Sequence, residues 1–251
     1  VTVFSNGTLI DDAVAERLAA APPNRTEISL YGASAAVYES ITGVPGSYAR
    51  CCAGIEALVR HRVPLGLKTI LTRQNLHELP ALRRMARNWG VPFTAGWLLT
   101  RHRDGAPTPV EQCRLTPENV IELEMQDAAA AATWNADAQR ANDGAAAPAF
   151  YCQAGRAAFL ISPAGEMNVC ADLPLPAARP LEIGFQTAWE QLQHFVDSAP
   201  PPADTCQRCD VRGFCQRCPA WSWLETGQLT EPVPYLCTVA RARMERYARP
   251  A

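Results

Sequence analysis

The sequence predicts an α/β protein in which parallel β/α units are followed by a smaller, cysteine-rich α+β domain. Strand-like and helix-like segments alternate four times, with short connections, over roughly the first hundred residues, which is typical of parallel β/α units. Seven of the ten cysteines lie after residue 150, among short strands and turns. We therefore expect a first domain over residues 1–145 and a second over residues 150–251.

Four strands are predicted in the first domain from runs of β-branched and aliphatic residues. They cover residues 1–5, 26–31, 65–71 and 92–99. The helices between them are predicted to end near residues 20, 41, 61 and 88. Each helix begins at a residue that favours a helix N-terminus, and these residues are Asp11, Ser34, Ser47 and Asn75. A parallel sheet of this kind needs such helices on its outside.

The pattern changes after residue 100. Thr116 and Pro117 predict the start of a helix that continues to about residue 134. The Ala-rich segments around Asn142-Asp143-Gly144 place the expected domain boundary at residues 140–149. The remaining predicted elements are a hairpin with strands at residues 157–161 and 166–170, and helices at residues 185–195 and 236–249.

Composition and charge restrict the class of protein. Hydrophobic residues make up 48% of the chain and charged residues 19%, as in globular proteins with a substantial core. The net charge of −2 argues against nucleic acid or an anionic membrane as a partner, and no apolar run approaches the roughly 18 residues of a membrane span. Clustered thiols are typical of a reducing compartment, so we expect a cytoplasmic location.

A short stretch in the second domain has the density of thiols that metal sites need. Cys206, Cys209, Cys215 and Cys218 follow the spacing C-x2-C-x5-C-x2-C, with arginine and aspartate between them. Such a polar peptide has no apolar face to bury, whereas thiolates that converge on a metal would give it a core. Spacing alone leaves the metal open.

Three further cysteines complete a longer pattern. Cys152 and Cys170 precede the stretch, with Gly165 between them, and Cys237 follows it. The order C-x(9–15)-G-x4-C, then C-x2-C-x5-C-x(2–3)-C, then a lone cysteine resembles the SPASM domain of radical S-adenosylmethionine enzymes. The seven positions are matched, and the resemblance covers about residues 150–240.

The resemblance implies two auxiliary [4Fe–4S] clusters. One would be held by Cys206, Cys209, Cys215 and Cys237. The other would be held by Cys218 with Cys152 and Cys170, which leaves a fourth position open or filled by another residue. Cys113 is one candidate for that position. By the same resemblance, Arg208, Arg212 and Arg217 either offset the charge of a cluster and raise its potential or are simply solvated.

The first domain resembles the partial (β/α) barrel of the same enzymes. Ser5-Asn6-Gly7 is similar to the end of the third barrel strand, and Ser29 and Lys68 lie in segments similar to the fourth and fifth strands. The resemblance implies that Asn6, Ser29 and Lys68 contact S-adenosylmethionine. The sequence departs from the family at Thr42, where members often have Arg.

A larger departure is the absence of the C-x3-C-x2-C triplet that binds the catalytic [4Fe–4S] cluster in this family. The first strands of the barrel and the glycine-rich second-strand motif are missing as well. The first residue is Val, within a strand-like run, so we expect an N-terminally truncated chain that is inactive alone.

Function follows from the resemblance as an expectation. A full-length protein would cleave S-adenosylmethionine to a 5′-deoxyadenosyl radical and abstract hydrogen from a substrate. The auxiliary clusters would transfer electrons or bind the substrate. A peptide or protein is the expected substrate, because family members commonly act on peptides, and an external electron donor is expected as a partner.

Two alternatives remain beside this interpretation. One is a non-catalytic iron–sulfur module for electron transfer or binding. The other is a structural zinc protein, although zinc ribbons usually separate their cysteine pairs by about 15–20 residues rather than five, and zinc would leave Cys152 and Cys170 unexplained. A disulfide framework is less favoured still.

Other polar and thiol residues are given ordinary interpretations. Cys51 and Cys52 are predicted to be core thiols. Glu122, Glu124 and Asp127 are predicted to form a solvated helix face. The loop that begins Arg101-His102-Arg103 follows the fourth strand, so either substrate contact or a plain surface loop is expected there.

Overall fold

The computed structural model describes residues 1–105, 109–127, 132–134, 149–150 and 152–247. The chain divides into two compact units. The first consists of Val1–Leu99 and Pro109–Leu115, and the second of Thr100–Thr108 and Thr116–Ala251. The expected boundary at residues 140–149 falls almost wholly outside the described residues and stays a prediction.

The first unit contains a four-stranded parallel sheet. Its strands are β1 (Thr2–Ser5), β2 (Arg25–Ser29), β3 (Leu65–Ile70) and β4 (Phe93–Gly96). They are hydrogen-bonded in the order β1-β2-β3-β4, and every neighbouring pair is parallel. The predicted α/β class with a parallel sheet is therefore confirmed, although β4 ends three residues before its predicted end.

Helices separate these strands, and most begin where the sequence predicted. They are α1 (Asp12–Ala20), α2 (Ala35–Thr42), α3 (Ser47–Arg60), α4 (Leu79–Trp89) and the short α5 (Val110–Cys113). The Asp11 carboxylate accepts a hydrogen bond from the Val14 N–H, and the Ser34 hydroxyl accepts one from Val37. These contacts satisfy backbone donors that a first helical turn leaves unpaired.

The prediction that Asn75 caps the fourth helix is wrong. Asn75 is buried and precedes a 3-10 turn at Leu76–Glu78, and its side chain makes no capping bond. Its Oδ1 accepts from the Thr72 N–H at 2.7 Å. Its Nδ2 donates to the carbonyl oxygens of Tyr31 and Ile70 at 2.9 and 3.0 Å. The amide therefore joins two strand ends, a tertiary contact that local sequence does not reveal.

One face of the sheet lies in the hydrophobic core, with Ile28, Leu67 and the α3 residues Ile55 and Leu58 fully buried. As predicted, Cys51 is a core thiol, whereas Cys52 is only half-buried.

Helix α3 approaches the turn after β1 very closely. A Cβ placed on Gly54 would collide with the carbonyl oxygen of Gly7. Gly7 itself has a φ of +75°, which favours glycine. The two glycines therefore fix the turn that carries Asn6 against the helix.

The second unit consists of short elements. The described ones are α6 (Pro117–Met125), β5 (Leu160–Ile161), β6 (Met167–Asn168), α7 (Pro180–Ile183), α8 (Phe185–Asp197), α9 (Asp204–Gln207), α10 (Pro219–Thr226) and α11 (Pro234–Tyr247). The predicted hairpin is present as the antiparallel pair β5–β6, with Gly165 at a φ of +77°. The helix from Thr116 ends at Met125, nine residues before its predicted end near Trp134.

Helices α6 and α11 are joined by a buried ion pair. The Arg243 guanidinium donates to the Glu124 carboxylate, with Nη2 and Oε1 2.6 Å apart, and both side chains are almost fully buried. The guanidinium also lies over the Trp134 ring at 3.8 Å. The prediction of a solvated acidic face is therefore wrong for Glu124, because its side chain pairs with a distant cation.

Within the described parts of the chain, no helix has the length and apolar character needed to cross a membrane.

Candidate metal centres

The cysteine stretch is built from turns and helix ends. Cys206 lies in α9, and Cys215 follows a 3-10 turn at Arg212–Phe214. Cys218 is the N-cap residue of α10, and Cys237 lies in the first turn of α11. The thiols of the stretch thus lie at turns and helix ends, where the backbone changes direction.

Four of the thiols form one electrostatic group. Burial is the main reason that the pKa of the Cys215 thiol is raised to about 11, and the nearby thiols of Cys237, Cys206 and Cys209 act in the same direction. Burial likewise raises the pKa of Cys237, and Cys206 and Cys209 contribute to that shift. The four thiols therefore lie close enough to repel one another when ionised.

A second group contains the other three thiols. Burial raises the pKa of the Cys218 thiol, and the charges of Cys170 and Cys152 contribute in the same direction. Burial also raises the pKa of Cys170, and Cys152 again contributes. No thiol of the first group is among the causes of these shifts. Cys218 is therefore electrostatically coupled to Cys170 and Cys152, which lie far from it along the chain.

Hydrophobic packing divides the cysteines in the same way. Cys170 and Cys218 pack against the larger core of the second unit, which includes Met167 and Leu192. The other pair, Cys209 and Cys215, packs against a separate small cluster of Val211, Phe214 and Ala240. Two thiols of each group thus pack against separate apolar clusters.

Backbone N–H groups are directed at the sulfur atoms. The N–H groups of Ala220 and Trp221, in the first turn of α10, lower the pKa of Cys218 against the effect of its burial. The N–H of Arg217 does the same for Cys215. Amide donors at a helix N-terminus stabilise a thiolate. These donors offset only part of the effect of burial, because the pKa of both thiols stays above its ordinary value. An iron–sulfur cluster would bind the thiolate forms.

The cysteines are present as free thiols, and none of the ten forms a disulfide. Among the residues that the structure describes, no group of three or more His, Cys, Asp or Glu side chains is placed to hold a metal ion.

The three arginines of the stretch have different environments. Arg208 is exposed and lies 3.5 Å from Asp204, and Arg212 donates to the carbonyl oxygen of Gln207. Arg217 is held inward, where its Nη2 donates to the Leu229 carbonyl oxygen. Its other two guanidinium nitrogens are buried.

The three predicted S-adenosylmethionine contacts lie in the first unit. Asn6 directly follows β1, Ser29 is the last residue of β2, and Lys68 pairs with Ser29 in register between β2 and β3. Lys68 lies on a partly open face of the sheet, its Nζ 4.1 Å from the centroid of the Phe4 ring, which is 65% exposed. The Asn6 Oδ1 accepts from the Thr8 N–H and hydroxyl.

Other candidate residues have structural contacts. Arg103 donates to Asn168 Oδ1 and to the carbonyl oxygen of Ala171, beside Cys170. The loop that carries it belongs to the second unit, and these two contacts are consistent with that division. Cys113 is half-buried at the end of α5, in the first unit.

Sequence comparison finds relatives but no matching family model. The chain is 26% identical over 256 residues to an AdoMet-dependent heme synthase from Methanosarcina barkeri, a match that covers 94% of this chain and 73% of that protein. It is 27% identical over 227 residues to the mycofactocin maturase MftC from Mycobacterium ulcerans. That second match covers 86% of this chain and 61% of the maturase, less than two thirds of the latter.

Structure comparison finds enzymes with bound S-adenosylmethionine. The structure of native anSMEcpe with bound AdoMet and a peptide has a TM-score of 0.67 at 14% identity, and the match covers 98% of this chain and 73% of that one. The structure of Streptococcus suis SuiB bound to S-adenosylmethionine has a TM-score of 0.60, also at 14% identity, with 85% and 54% of the chains covered.

The structures and the named relatives support different statements about this chain. The structures show the fold, an α/β fold with a parallel sheet. The named relatives, together with this fold, support an enzyme of the radical S-adenosylmethionine type, as the motifs predicted. The ligand sets and the cofactor contacts stay predictions.

Proposed function

We propose that this chain belongs to a radical S-adenosylmethionine enzyme that modifies a peptide and carries two auxiliary [4Fe–4S] centres. The observation that carries this proposal is the division of seven cysteines into two groups. In one group of four and in one group of three, the charges of neighbouring thiols raise the pKa of other thiols of the same group. This is the division that the family resemblance implies.

The ligands follow from that division. Cys206, Cys209, Cys215 and Cys237 hold one centre and give it a full set of four thiolates. The other centre is held by Cys218 with Cys152 and Cys170. Its fourth position is open or filled by a residue not yet assigned. A position of this kind suits binding of a substrate group, because three thiolates leave one iron without a protein ligand.

Asn6, Ser29 and Lys68 contact S-adenosylmethionine in this proposal. Their positions support it, since Asn6 and Ser29 lie at the carboxyl ends of parallel strands, where loops and strand ends form ligand sites. Lys68 provides a cation for the carboxylate of the ligand, and the Asn6 amide and Ser29 hydroxyl provide hydrogen bonds. When bound with a reduced [4Fe–4S] cluster, S-adenosylmethionine supplies a 5′-deoxyadenosyl radical for hydrogen abstraction.

A peptide is the proposed substrate. The mycofactocin maturase and a PqqA peptide cyclase from Granulibacter bethesdensis are relatives of this chain, and the similar anSMEcpe structure contains a peptide. An external reductant is required as a partner, because the reaction class begins with electron delivery. The catalytic cluster needs a C-x3-C-x2-C triplet that these 251 residues do not contain, so we propose that a segment outside them supplies it.

Anaerobic reconstitution of the chain with iron and sulfide tests the auxiliary centres. About eight irons per chain are expected for two [4Fe–4S] centres, together with matching sulfide. Stoichiometric zinc with no sulfide would replace the proposal with a structural zinc site. Two iron–sulfur centres in a complete protein that never consumes S-adenosylmethionine would favour the non-catalytic electron-transfer module instead.

A further inference from the structure

Arg217 is a charged side chain in an unusual position. Its Nε and Nη1 are buried and have no hydrogen-bond partner among the described residues, while its Nη2 donates to the carbonyl oxygen of Leu229. A buried guanidinium donor without an acceptor is costly, because it loses its hydration and gains nothing in return. Such a group calls for an acceptor that the protein atoms do not provide.

The location of Arg217 identifies where that acceptor lies. The residue is between Cys215 and Cys218, and its backbone N–H is directed at the Cys215 sulfur. Its positive charge also acts on Cys206. Both of these thiols belong to the four-cysteine group, so the centre proposed for this group is the acceptor inferred for the unpaired N–H groups.

We propose that Arg217 is a positioning residue for the centre of Cys206, Cys209, Cys215 and Cys237, with Nε–H and Nη1–H donating hydrogen bonds to its sulfur atoms. This inference rests on the proposed function. Sulfides and thiolates of a cluster are hydrogen-bond acceptors, and both hydrogen bonds and positive charge stabilise the reduced, more negative state. Arg217 therefore raises the reduction potential of this centre relative to the same centre without it.

Arg208 provides a matched comparison. It lies in the same stretch, between Cys206 and Cys209, and carries the same charge, but its side chain is 83% exposed and faces Asp204. Water screens a charge in that position. The two arginines thus differ in burial and hydrogen bonding rather than in charge or closeness along the chain.

The test is a redox titration of the reconstituted chain with dithionite, followed by electron paramagnetic resonance. Wild type is compared with Arg217→Met, Arg217→Lys and Arg208→Met, and the Cys218→Ser variant serves to assign the signals. For Arg217→Met we expect unchanged iron content. At a fixed potential, the ratio of reduced to oxidised four-cysteine centre should be roughly tenfold lower. For a one-electron couple this corresponds to a reduction potential lowered by about 59 mV. Arg217→Lys should fall between this variant and wild type, and Arg208→Met should change the ratio less than about twofold.

The inference would be overturned if Arg217→Met and Arg208→Met lowered the reduction potential of the four-cysteine centre equally. It would also be overturned if Arg217→Met lowered the reduction potentials of both centres equally. Loss of iron from both Arg217 variants would also overturn it, because a residue that only tunes a centre is not needed to assemble it. Failure of the proposed function is a separate result. A structural zinc protein would bind no iron in the wild-type chain, and a non-catalytic module would bind two iron–sulfur centres but never consume S-adenosylmethionine as the complete protein.

Discussion

Cys218 lies at the point in the chain where the two cysteine groups meet. It is three residues from Cys215, yet the thiols whose charges raise its pKa are those of Cys170 and Cys152. The direction of the chain at this residue explains the difference, because Cys218 is the N-cap of α10 and packs against the larger core. The start of α10 at Cys218 thus separates this thiol from the group that contains Cys215.

Substitution of this residue gives the first prediction. We expect Cys218→Ser and Cys237→Ser each to lose about four of eight irons, from different centres. Adding Cys170→Ser to Cys218→Ser should cause no further loss, because both ligands serve one centre. Adding Cys237→Ser to Cys218→Ser should remove nearly all iron. Iron and sulfide analysis measures this, and loss of both centres in the Cys218/Cys170 pair would contradict the division.

Cys51 gives a prediction about pH. Burial raises the pKa of its thiol from 9.0 to about 11 in the folded chain. Below about pH 9 the thiol is neutral in both the folded and unfolded states, so its burial stabilises the fold in full. As the pH rises towards 11, the unfolded chain ionises first and this stabilisation is lost.

We therefore expect the difference in unfolding free energy between wild type and Cys51→Ala to be largest near pH 8 and to narrow towards pH 11. Urea denaturation of both proteins across this range measures it, and titrations common to both cancel in the difference. A difference that does not change with pH would show that Cys51 ionises as an ordinary thiol.

The α6–α11 pair shows how one element holds another in place. Arg243 occupies the same side of α11 as Leu236, Val239 and Ala240, and all four are buried. Besides Glu124, its guanidinium binds the carbonyl oxygen of Phe214, the residue directly before Cys215. The ion pair therefore connects two helices to the cysteine stretch.

We expect Arg243→Met to destabilise the fold by about 3–5 kcal/mol, because it leaves the Glu124 carboxylate buried without a partner. The double variant Arg243→Met/Glu124→Met should be less destabilised than the sum of the single changes. Arg246→Met is the control, since it removes an exposed arginine from the same helix. Chemical denaturation of wild type, Arg243→Met, Glu124→Met, the double variant and Arg246→Met measures these effects. An equal effect of Arg243→Met and Arg246→Met would show that the pair contributes little.

At the scale of the whole molecule, the chain carries candidate S-adenosylmethionine contacts in one unit and candidate auxiliary ligands in the other. Neither unit contains the C-x3-C-x2-C triplet. The proposal therefore assigns candidate sites to both units and the catalytic cluster to neither.

We expect the reconstituted 251-residue chain to form no 5′-deoxyadenosine from S-adenosylmethionine and dithionite. Chromatography of the reaction mixture measures this, and a characterised radical S-adenosylmethionine enzyme run alongside shows that the assay works. Cleavage by this chain alone would mean that its own cysteines hold a catalytic cluster.

The amino-acid sequence by itself determined the α/β class and most helix starts, because strand runs and capping residues such as Asp11 and Ser34 act over a few neighbouring positions. It also determined which residues are candidate ligands, since thiol spacing is a property of the chain. The sequence also indicates that Arg243 is buried, because it occupies a position of α11 where the helical periodicity predicts an apolar residue.

Only the tertiary structure decided contacts between residues far apart in sequence. The sequence predicts that Asn75 caps a helix, but its side chain joins two strand ends. The sequence also predicts that Glu124 is solvated, but its side chain pairs with Arg243, 119 residues away. The three arginines of the cysteine stretch look alike in sequence, yet burial and hydrogen bonding distinguish Arg217 from Arg208. Burial and hydrogen bonding depend on what the rest of the chain places around a side chain, and no local pattern encodes that environment.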